Sequence, residues 1–325
     1  MKILITGGAG YIGSFLVKAL ADRQNEVVVF DSLERGRKEA IDSRAVLFQG
    51  DLKDKAALQK LFSEHKFDAL MHFAGFISVE ESTKNPDLYY QNNVVGSQNL
   101  FEVAITTGGV TKFIFSSSAA VYGNPTKIPI PEDHAKNPTS EYGKNKLEVE
   151  KILSDLRIKH PHISFAALRY FNACGAALDG SLGEGHNPET HIIPLAIKAA
   201  LLQKDFYLFG TDYDTPDGTC VRDYIHVLDL VDAHLLSLKK VSEDPNGYFY
   251  NVGTGKGYSN REVIDEIQKA SGIKINIIEK ERRAGDANEL IADSSSIRNE
   301  VGFLPKYSDL ETIIKTAWEW HKKQS

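Results

Sequence analysis

The chain has 325 residues, of which 42% are apolar and 25% are charged, and its formal net charge is −6. This length predicts two lobes, and the weak acidic balance excludes an electrostatic footprint for nucleic acid or for an anionic membrane. Two cysteines, no secretory signal pattern and no apolar run of about 20 residues favour a cytoplasmic protein without a membrane span. The ten histidines show no spacing such as HExxH, so no metal is expected.

The first half of the chain alternates short apolar runs with helical patterns. A helical pattern over 11–23 follows the first of these runs after four residues. The predicted strands cover residues 3–6, 27–30, 46–48, 70–73, 113–115 and 165–168. Continuous apolar strands separated by helices indicate an α/β fold with a doubly wound parallel sheet.

After residue 172 the regular alternation of short apolar runs and helical patterns ends. Residues 175–188 and 211–219 are rich in glycine and polar residues and are predicted loops, while helical patterns cover 192–202, 260–270 and 310–321. We therefore expect a smaller α/β domain over 172–325. The first domain should cover 1–171 and also receive about 221–253, so the segments of the two domains interleave.

Three regularly spaced glycines lie at the junction of the first predicted strand and its helix. Gly7, Gly10 and Gly13 form a GxxGxxG variant of the dinucleotide fingerprint, in which glycine lets backbone amides approach a pyrophosphate at a helix N-terminus. Asp31 ends the second strand, where a carboxylate accepts hydrogen bonds from a ribose diol and favours NAD over NADP. The alternative interpretation of Asp31 is a loop residue or a helix cap. Asp51 has two interpretations, a contact with the adenine end of the cofactor or the N-cap of a helix.

A tyrosine and a lysine stand four residues apart on a predicted helix. Tyr142 and Lys146 form a YxxxK pair on one helix face, and a lysine ammonium favours the phenolate that proton abstraction requires. Ser118 follows the fifth strand, where an α/β sheet presents its site, and can hydrogen-bond the same hydroxyl. An exposed tyrosine beside an incidental lysine, and a serine used for capping, are the alternatives.

Several segments together resemble a known family. The chain resembles the extended short-chain dehydrogenase/reductases, with their Rossmann-like NAD domain, and among them is similar to the UDP-glucose 4-epimerase family. The segments are TGGAGYIGS at 6–14, HFAG at 72–75, YYQNNV at 89–94, FSSSAAVYG at 115–123, YGKNK at 142–146, LRYFNACGA at 168–176, TPDGTCVRDYIHVLDL at 215–230 and RRAGD at 282–286.

The resemblance implies roles for individual residues. The implied catalytic residues are Tyr142 as the base, Lys146 and Ser118. The implied NAD-binding residues are Gly7, Gly10, Tyr11, Ile12, Gly13, Asp31, Ser32, Asp51, Leu52, Phe73, Ala74, Gly75, Asn92, Ser117, Tyr142, Lys146, Tyr170 and Phe171. The implied UDP-sugar-binding residues are Ser118, Tyr142, Asn172, His191, Ile192, Tyr207, Phe209, Arg222, Arg283 and Asp286.

The resulting hypothesis is interconversion of UDP-galactose and UDP-glucose in galactose metabolism, through a 4-keto sugar and reversible hydride transfer to bound NAD. A homodimer is expected by resemblance. The chain departs from the family pattern at Ile77, where some members carry lysine, and at Thr190–His191, where some carry an Asn-Asn pair. Leu290 lies near the position that gates N-acetylated sugars, so activity on UDP-N-acetylhexosamines stays open.

Two other classes of function compete with this hypothesis. Dehydratases of the family carry carboxylates at the positions of Ala119 and Ala120, and their absence argues against dehydration. An epimerase acting elsewhere on the nucleotide sugar is harder to exclude. A non-enzymatic NAD sensor should lack the tyrosine, the lysine or the phosphate-binding arginines, and all of these are present.

Overall fold

The computed structural model describes residues 1–283 and 286–324. The chain divides into two compact units with interleaved segments. The first unit comprises Met1–Gly123, Lys136–Arg169 and Ala233–Tyr250, and the second comprises Asn124–Ala135, Tyr170–Asp232 and Asn251–Ser325. Among the described residues, no helix combines the length and apolarity needed to cross a bilayer.

The secondary structure follows the alternation expected of an α/β chain. The strands are β1 (Lys2–Thr6), β2 (Glu26–Asp31), β3 (Val46–Gln49), β4 (Ala69–His72), β5 (Lys112–Ser118), β6 (Ser164–Tyr170), β7 (Asn172–Cys174), β8 (Phe206–Phe209), β9 (Val221–His226), β10 (Gly247–Val252), β11 (Gly257–Ser259), β12 (Ile277–Lys280) and β13 (Glu289–Leu290). The helices are α1 (Tyr11–Asp22), α2 (Lys55–Glu64), α3 (Val79–Lys84), α4 (Pro86–Tyr89), α5 (Gly96–Thr106), α6 (Glu141–Lys159), α7 (Ile192–Leu202), α8 (Val227–Glu243), α9 (Asn260–Ser271), α10 (Ser295–Val301) and α11 (Leu310–Gln324), with a π-helical stretch Tyr90–Val95 between α4 and α5.

The first unit is built on a seven-stranded sheet in the order β10-β6-β5-β4-β1-β2-β3. Strand β1 pairs in parallel with β2 on one side and with β4 on the other, and Leu4 lies opposite Val28 and Leu70. Their side chains are fully buried, because helices cover both faces of the sheet. The strand order reverses between β1 and β4, and α/β sheets bind ligands at such a switch point.

The second unit contains two smaller sheets. Strand β9 pairs with β7, β11 and β13, and β8 pairs in parallel with β12. Helices α7, α9 and α11 supply much of its apolar core, including Ile197, Ile264 and Ile314, which are fully buried. The predicted helix over 192–202 coincides with α7.

The boundaries of the two units differ from the expected ones at 124–135, 170–171, 221–232 and 251–253. Residues 221–232 belong to the second unit, because β9 pairs with strands of that unit, and only Ala233–Tyr250 joins the first. Residues 124–135 also belong to the second unit. There the Ile130 backbone accepts from the Asp293 amide at 2.9 Å and donates to the Ile291 carbonyl at 2.8 Å.

Strand β5 runs further than the apolar pattern indicated. It continues past Phe115 through Ser118, although three serines in a row are typical of a turn. The strand tolerates them because the buried Ser117 hydroxyl donates to the Glu150 carboxylate at 2.6 Å. This extension places Ser117 and Ser118 at the carboxyl end of the sheet.

Candidate active site

The glycine loop joins β1 to α1 at the centre of the sheet. Gly7 has φ +75°, and a Cβ on it would lie 2.4 Å from the Ala74 backbone nitrogen. A Cβ on Gly13 would lie 2.2 Å from the Gly7 carbonyl oxygen. Glycine is therefore required for the loop to pack this closely against the end of β4 and the first turn of α1.

The start of α1 suits an anionic ligand. Gly10 is its N-cap and provides no side-chain hydrogen bond, and the first turn contains no acidic residue. The first amides of a helix lack intrahelical acceptors and carry the positive end of the helix dipole. These features fit the pyrophosphate of a dinucleotide such as NAD.

Asp31 lies at the end of β2, beside this loop. It is 8% exposed, and its carboxylate accepts from the Ala9 amide at 3.0 Å and from the Leu33 amide at 2.9 Å. It caps no helix, so the capping alternative is wrong. The carboxylate is fixed beside the glycine loop, as a ribose-binding group should be.

Replacing Gly7 with alanine should destabilise the protein more than replacing a glycine that has open space around it. Gly272 has φ +69°, and a Cβ on it would meet nothing within 4 Å, so Gly272→Ala should cost only the left-handed strain of about 1–2 kcal/mol. Gly7→Ala adds a backbone overlap, which should cost about 1–3 kcal/mol more. Urea unfolding and the NAD content of the purified variants measure both effects. Equal losses of stability, with NAD retained, would contradict the role of Gly7.

Tyr142 and Ser118 come together at the carboxyl end of β5. Tyr142 lies in the first turn of α6, and its part-buried phenol hydrogen-bonds with the Ser118 hydroxyl. Burial raises the pKa of Tyr142 to about 12, and the bond with Ser118 acts in the opposite direction. Ser118 also accepts from the Ala120 amide at 3.2 Å, so it combines capping with the contact to Tyr142. The protein groups alone keep the phenol neutral at pH 7.

Lys146 lies one helical turn after Tyr142 and is 5% exposed. Its Nζ donates to the Ser116 carbonyl at 2.6 Å and lies 5.7 Å from the centre of the Tyr142 ring. Burial lowers the pKa of Lys146 to about 8, while the Glu150 carboxylate opposes that shift. The ammonium therefore keeps its proton at pH 7 and places a positive charge near the phenol.

A buried ion pair beneath these residues escaped the sequence analysis. Arg169 donates to both Glu150 carboxylate oxygens, at 2.8 and 2.7 Å, and to the Tyr122 hydroxyl at 3.0 Å. Glu150 also accepts from Ser117. Glu150 lies on α6, one turn beyond Lys146, whereas Ser117 lies on β5 and Arg169 on β6. The network therefore links α6 to both strands. The only feature of the sequence that pointed to this pair was the position of Glu150, four residues after Lys146.

The other residues predicted to bind NAD lie mainly after strands of the first unit. Asp51 accepts from the Lys53 amide at 2.8 Å, and Asp54 caps α2, so the N-cap alternative for Asp51 is wrong. Phe73 packs against His234, with ring centres 4.8 Å apart. Tyr11 and Ile12 open α1, Ser32 follows β2, Leu52 follows β3, Ala74 and Gly75 follow β4, and Asn92 lies in the π-helical stretch. Tyr170 ends β6 and Phe171 follows it, both in the second unit.

Within the second unit the structure brings four predicted substrate residues together. Arg222 lies 3.6 Å from the Asp286 carboxylate. The Asp286 amide donates to the Arg283 carbonyl at 3.4 Å, and the Arg283 guanidinium lies 4.1 Å from the centre of the Phe209 ring. A guanidinium over an aromatic ring, with a second guanidinium paired to the neighbouring Asp286, suits a diphosphate attached to a planar base.

The remaining substrate residues are spread over other elements of the second unit. Asn172 donates to the Asp223 carbonyl at 3.2 Å. Tyr207 is 50% exposed, with Lys280 Nζ 5.3 Å from its ring centre. His191 is the N-cap residue of α7, immediately before Ile192, and its Nδ1 lies 2.7 Å from the Glu184 carboxylate.

Comparison with known proteins gives a consistent result. Residues 3–253 match the model of the NAD dependent epimerase/dehydratase family. The chain belongs to this family. It is 46% identical to the UDP-glucose 4-epimerase of Lactobacillus helveticus over 99% of this chain and 97% of that one. The similarity to UDP-glucose 4-epimerases and the doubly wound fold, both expected from the sequence, are confirmed.

Two solved structures of epimerases extend this comparison. A UDP-glucose 4-epimerase from Brucella ovis in complex with NAD superposes with a TM-score of 0.94 at 42% identity, covering 98% of this chain and 97% of that one. The UDP-Glc/GlcNAc 4-epimerase from Campylobacter jejuni superposes with a TM-score of 0.87 at 43% identity, covering 99% of both chains. NAD as the cofactor of this family member is thereby confirmed.

Proposed function

We propose that the chain is a UDP-glucose 4-epimerase that interconverts UDP-galactose and UDP-glucose. The observation that carries this function is the trio of Tyr142, Ser118 and Lys146 at the carboxyl end of the sheet, within a family of NAD-dependent epimerases. The first unit holds the dinucleotide in this proposal, and the second holds the UDP-sugar.

In this proposal each catalytic residue of the first unit has a separate chemical role. Tyr142 Oη accepts the proton of the sugar 4-hydroxyl and later returns it, and Ser118 holds that phenol in place. Lys146 stabilises the phenolate by its charge. When bound, NAD⁺ supplies a hydride acceptor for C4 of the sugar and a positive charge beside the phenol. The glycine loop, the start of α1 and Asp31 are the groups that would hold it.

In the second unit the proposed task is to hold the UDP moiety. Arg222 and Arg283 are the proposed ligands of the diphosphate, because guanidinium forks pair with phosphate oxygens. Phe209 offers a ring face, and Asp286 and Asn172 offer polar groups. With UDP held there, the 4-keto sugar is free to present its other face before hydride returns to C4 and the proton returns from Tyr142 to the oxygen. Inversion at C4 follows without net oxidation.

A second candidate function is epimerisation of UDP-N-acetylhexosamines. It is favoured by the similarity to the UDP-Glc/GlcNAc 4-epimerase of Campylobacter jejuni and by leucine at position 290, whose side chain is smaller than an aromatic ring. Dehydration is disfavoured, since Ala119 and Ala120 follow Ser118 in a 3-10 turn and provide no carboxylate.

The decisive experiment mixes purified protein with UDP-galactose, without added cofactor, and follows UDP-glucose by chromatography. A parallel reaction contains UDP-N-acetylgalactosamine. We expect conversion of UDP-galactose, with NAD carried through purification. Conversion of both substrates would add the second function. No conversion of either, even with added NAD, would overturn the proposal.

We also propose a cytoplasmic homodimer. Both cysteines are buried and free of disulfides. The apolar faces of α4 and α5 do not by themselves indicate a dimer, because residues such as Tyr89, Leu100 and Phe101 are buried within the chain. Light scattering after gel filtration tests the dimer, and a monomeric mass at micromolar concentration would contradict it. Cell fractionation tests the location.

A further inference from the structure

Four potential metal ligands lie together in the second unit, in the loop that precedes α7. Glu184, His186, Glu189 and His191 each offer one ligand atom, and the four atoms lie within 4.8 Å of one another. The Glu184 carboxylate lies 3.0 Å from His186 Nδ1 and 2.7 Å from His191 Nδ1. The Glu189 carboxylate lies 3.8 Å from His186 Nδ1 and 3.0 Å from His191 Nδ1.

We propose that Glu184, His186, Glu189 and His191 form a binding site for a divalent transition-metal ion such as Zn²⁺. This site is additional to the proposed epimerase chemistry and does not depend on it. The expectation of no metal rested on the lack of spacings such as HExxH. The spacing here is Glu-x-His-x-x-Glu-x-His, which differs from them.

The distances suit a tetrahedral ion. Zn²⁺ binds histidine nitrogen and carboxylate oxygen at about 2.0–2.2 Å, so neighbouring ligands in a tetrahedron are about 3.3–3.6 Å apart. The four histidine-to-carboxylate separations, from 2.7 to 3.8 Å, bracket this value, and no two of the four ligand atoms lie more than 4.8 Å apart. Small rotations of the four side chains are enough to surround an ion.

The charge and the donor types suit a transition metal better than Mg²⁺ or Ca²⁺. Two carboxylates with two neutral imidazoles carry two negative charges, which a divalent cation cancels. Imidazole nitrogen is a ligand that Zn²⁺ and its neighbours accept, whereas Mg²⁺ and Ca²⁺ prefer oxygen alone. Glu184 is 4% exposed, so its carboxylate needs a positive charge nearby, which the imidazoles of His186 and His191 supply in this structure and which a bound cation would supply in their place.

The backbone that carries these ligands is held in place. Trp320 Nε1, on α11, donates to the Glu184 carbonyl at 2.7 Å. Gly183 packs so closely against the Trp320 ring that a Cβ on it would lie 2.4 Å away. At the other end, His191 directly precedes α7. An ion here would therefore join the loop firmly to the first turn of α7.

The ion would also orient His191, which the family resemblance implies as a UDP-sugar-binding residue. With Nδ1 of His191 bound to metal, the ring presents Nε2 as its remaining polar atom. A metal-bound imidazole keeps its proton on that nitrogen and can donate it to an anion. The metal would thus fix one tautomer of His191.

The test uses the untagged full chain, stripped with a chelator and then titrated with Zn²⁺ or Co²⁺. Metal content after desalting is measured by mass spectrometry, and the visible spectrum of Co²⁺ reports tetrahedral coordination. The variants are Glu184→Gln and His186→Gln. The matched control is His160→Gln/His162→Gln, which removes another pair of neighbouring histidines, with ring centres 6.0 Å apart.

We expect the wild type and the control to retain a single ion per chain and to show a tetrahedral Co²⁺ spectrum. Glu184→Gln and His186→Gln should lose the ion and the spectrum while keeping the wild-type circular dichroism. Failure of the wild type to retain Zn²⁺ or Co²⁺ would overturn the proposal, and would leave the cluster as a network of hydrogen-bonded ion pairs. Equal losses in the control and in His186→Gln would also overturn it. If a variant does not fold, the wild-type stoichiometry and Co²⁺ spectrum decide.

Discussion

Tyr142→Phe should lower the turnover number for UDP-galactose by about 10²- to 10⁴-fold, the usual contribution of a positioned acid–base group. The substitution removes the one oxygen that can take the sugar proton and leaves the ring in place. The Michaelis constant should change little, because the proposed UDP ligands lie elsewhere in the chain. Initial rates measured by chromatography, with NAD content determined on the same samples, give both quantities.

The matched control for this variant is Tyr248→Phe. It removes a phenol that donates to the Asp244 carbonyl at 3.2 Å, in a part of the first unit with no proposed role in catalysis. Its turnover should match that of the wild type. If Tyr142→Phe retains NAD and also retains undiminished turnover, Tyr142 is not the base and the proposed mechanism is wrong.

Arg169→Met should lower the free energy of unfolding by about 3–5 kcal/mol, as loss of one partner of a buried ion pair does. The side chains of Arg169 and Glu150 are 2% and 3% exposed, so the Glu150 carboxylate would be left buried without its counter-ion. Urea denaturation followed by circular dichroism measures the change.

Arg44→Met is the surface control for this prediction. Arg44 contacts Asp42 at 2.7 Å and Asp22 at 2.6 Å, but its side chain is 50% exposed and solvent screens the pair, so its removal should cost much less than removal of Arg169. The double variant Glu150→Leu/Arg169→Met should regain part of the loss, because neither charge of this pair is then left buried without the other. Equal effects of Arg169→Met and Arg44→Met would show that solvent screens the buried pair.

The fold and the proposed catalytic trio were largely accessible from the sequence, because their signals are local. Apolar runs reveal buried parallel strands, and the glycines between β1 and α1 mark a turn that other residues cannot adopt. The YxxxK spacing places Tyr142 and Lys146 on one helix face whatever surrounds them. The protonation of Tyr142 was not accessible in this way. Its pKa depends on burial, which raises it, and burial is a property of the packed protein.

Some contacts could be found only from the tertiary structure, because they join residues that are far apart in the chain. The segment 124–135 joins the second unit through backbone bonds of Ile130 with Ile291 and Asp293. The pairing of Glu150 with Arg169 requires α6 to lie against β6, and no periodicity encodes that contact. Even the cluster around Glu184, though short in sequence, converges only because its loop folds back on itself. Sequence patterns show which face of a helix or strand is buried. Only the packing of these elements decides which residues from distant parts of the chain come into contact there.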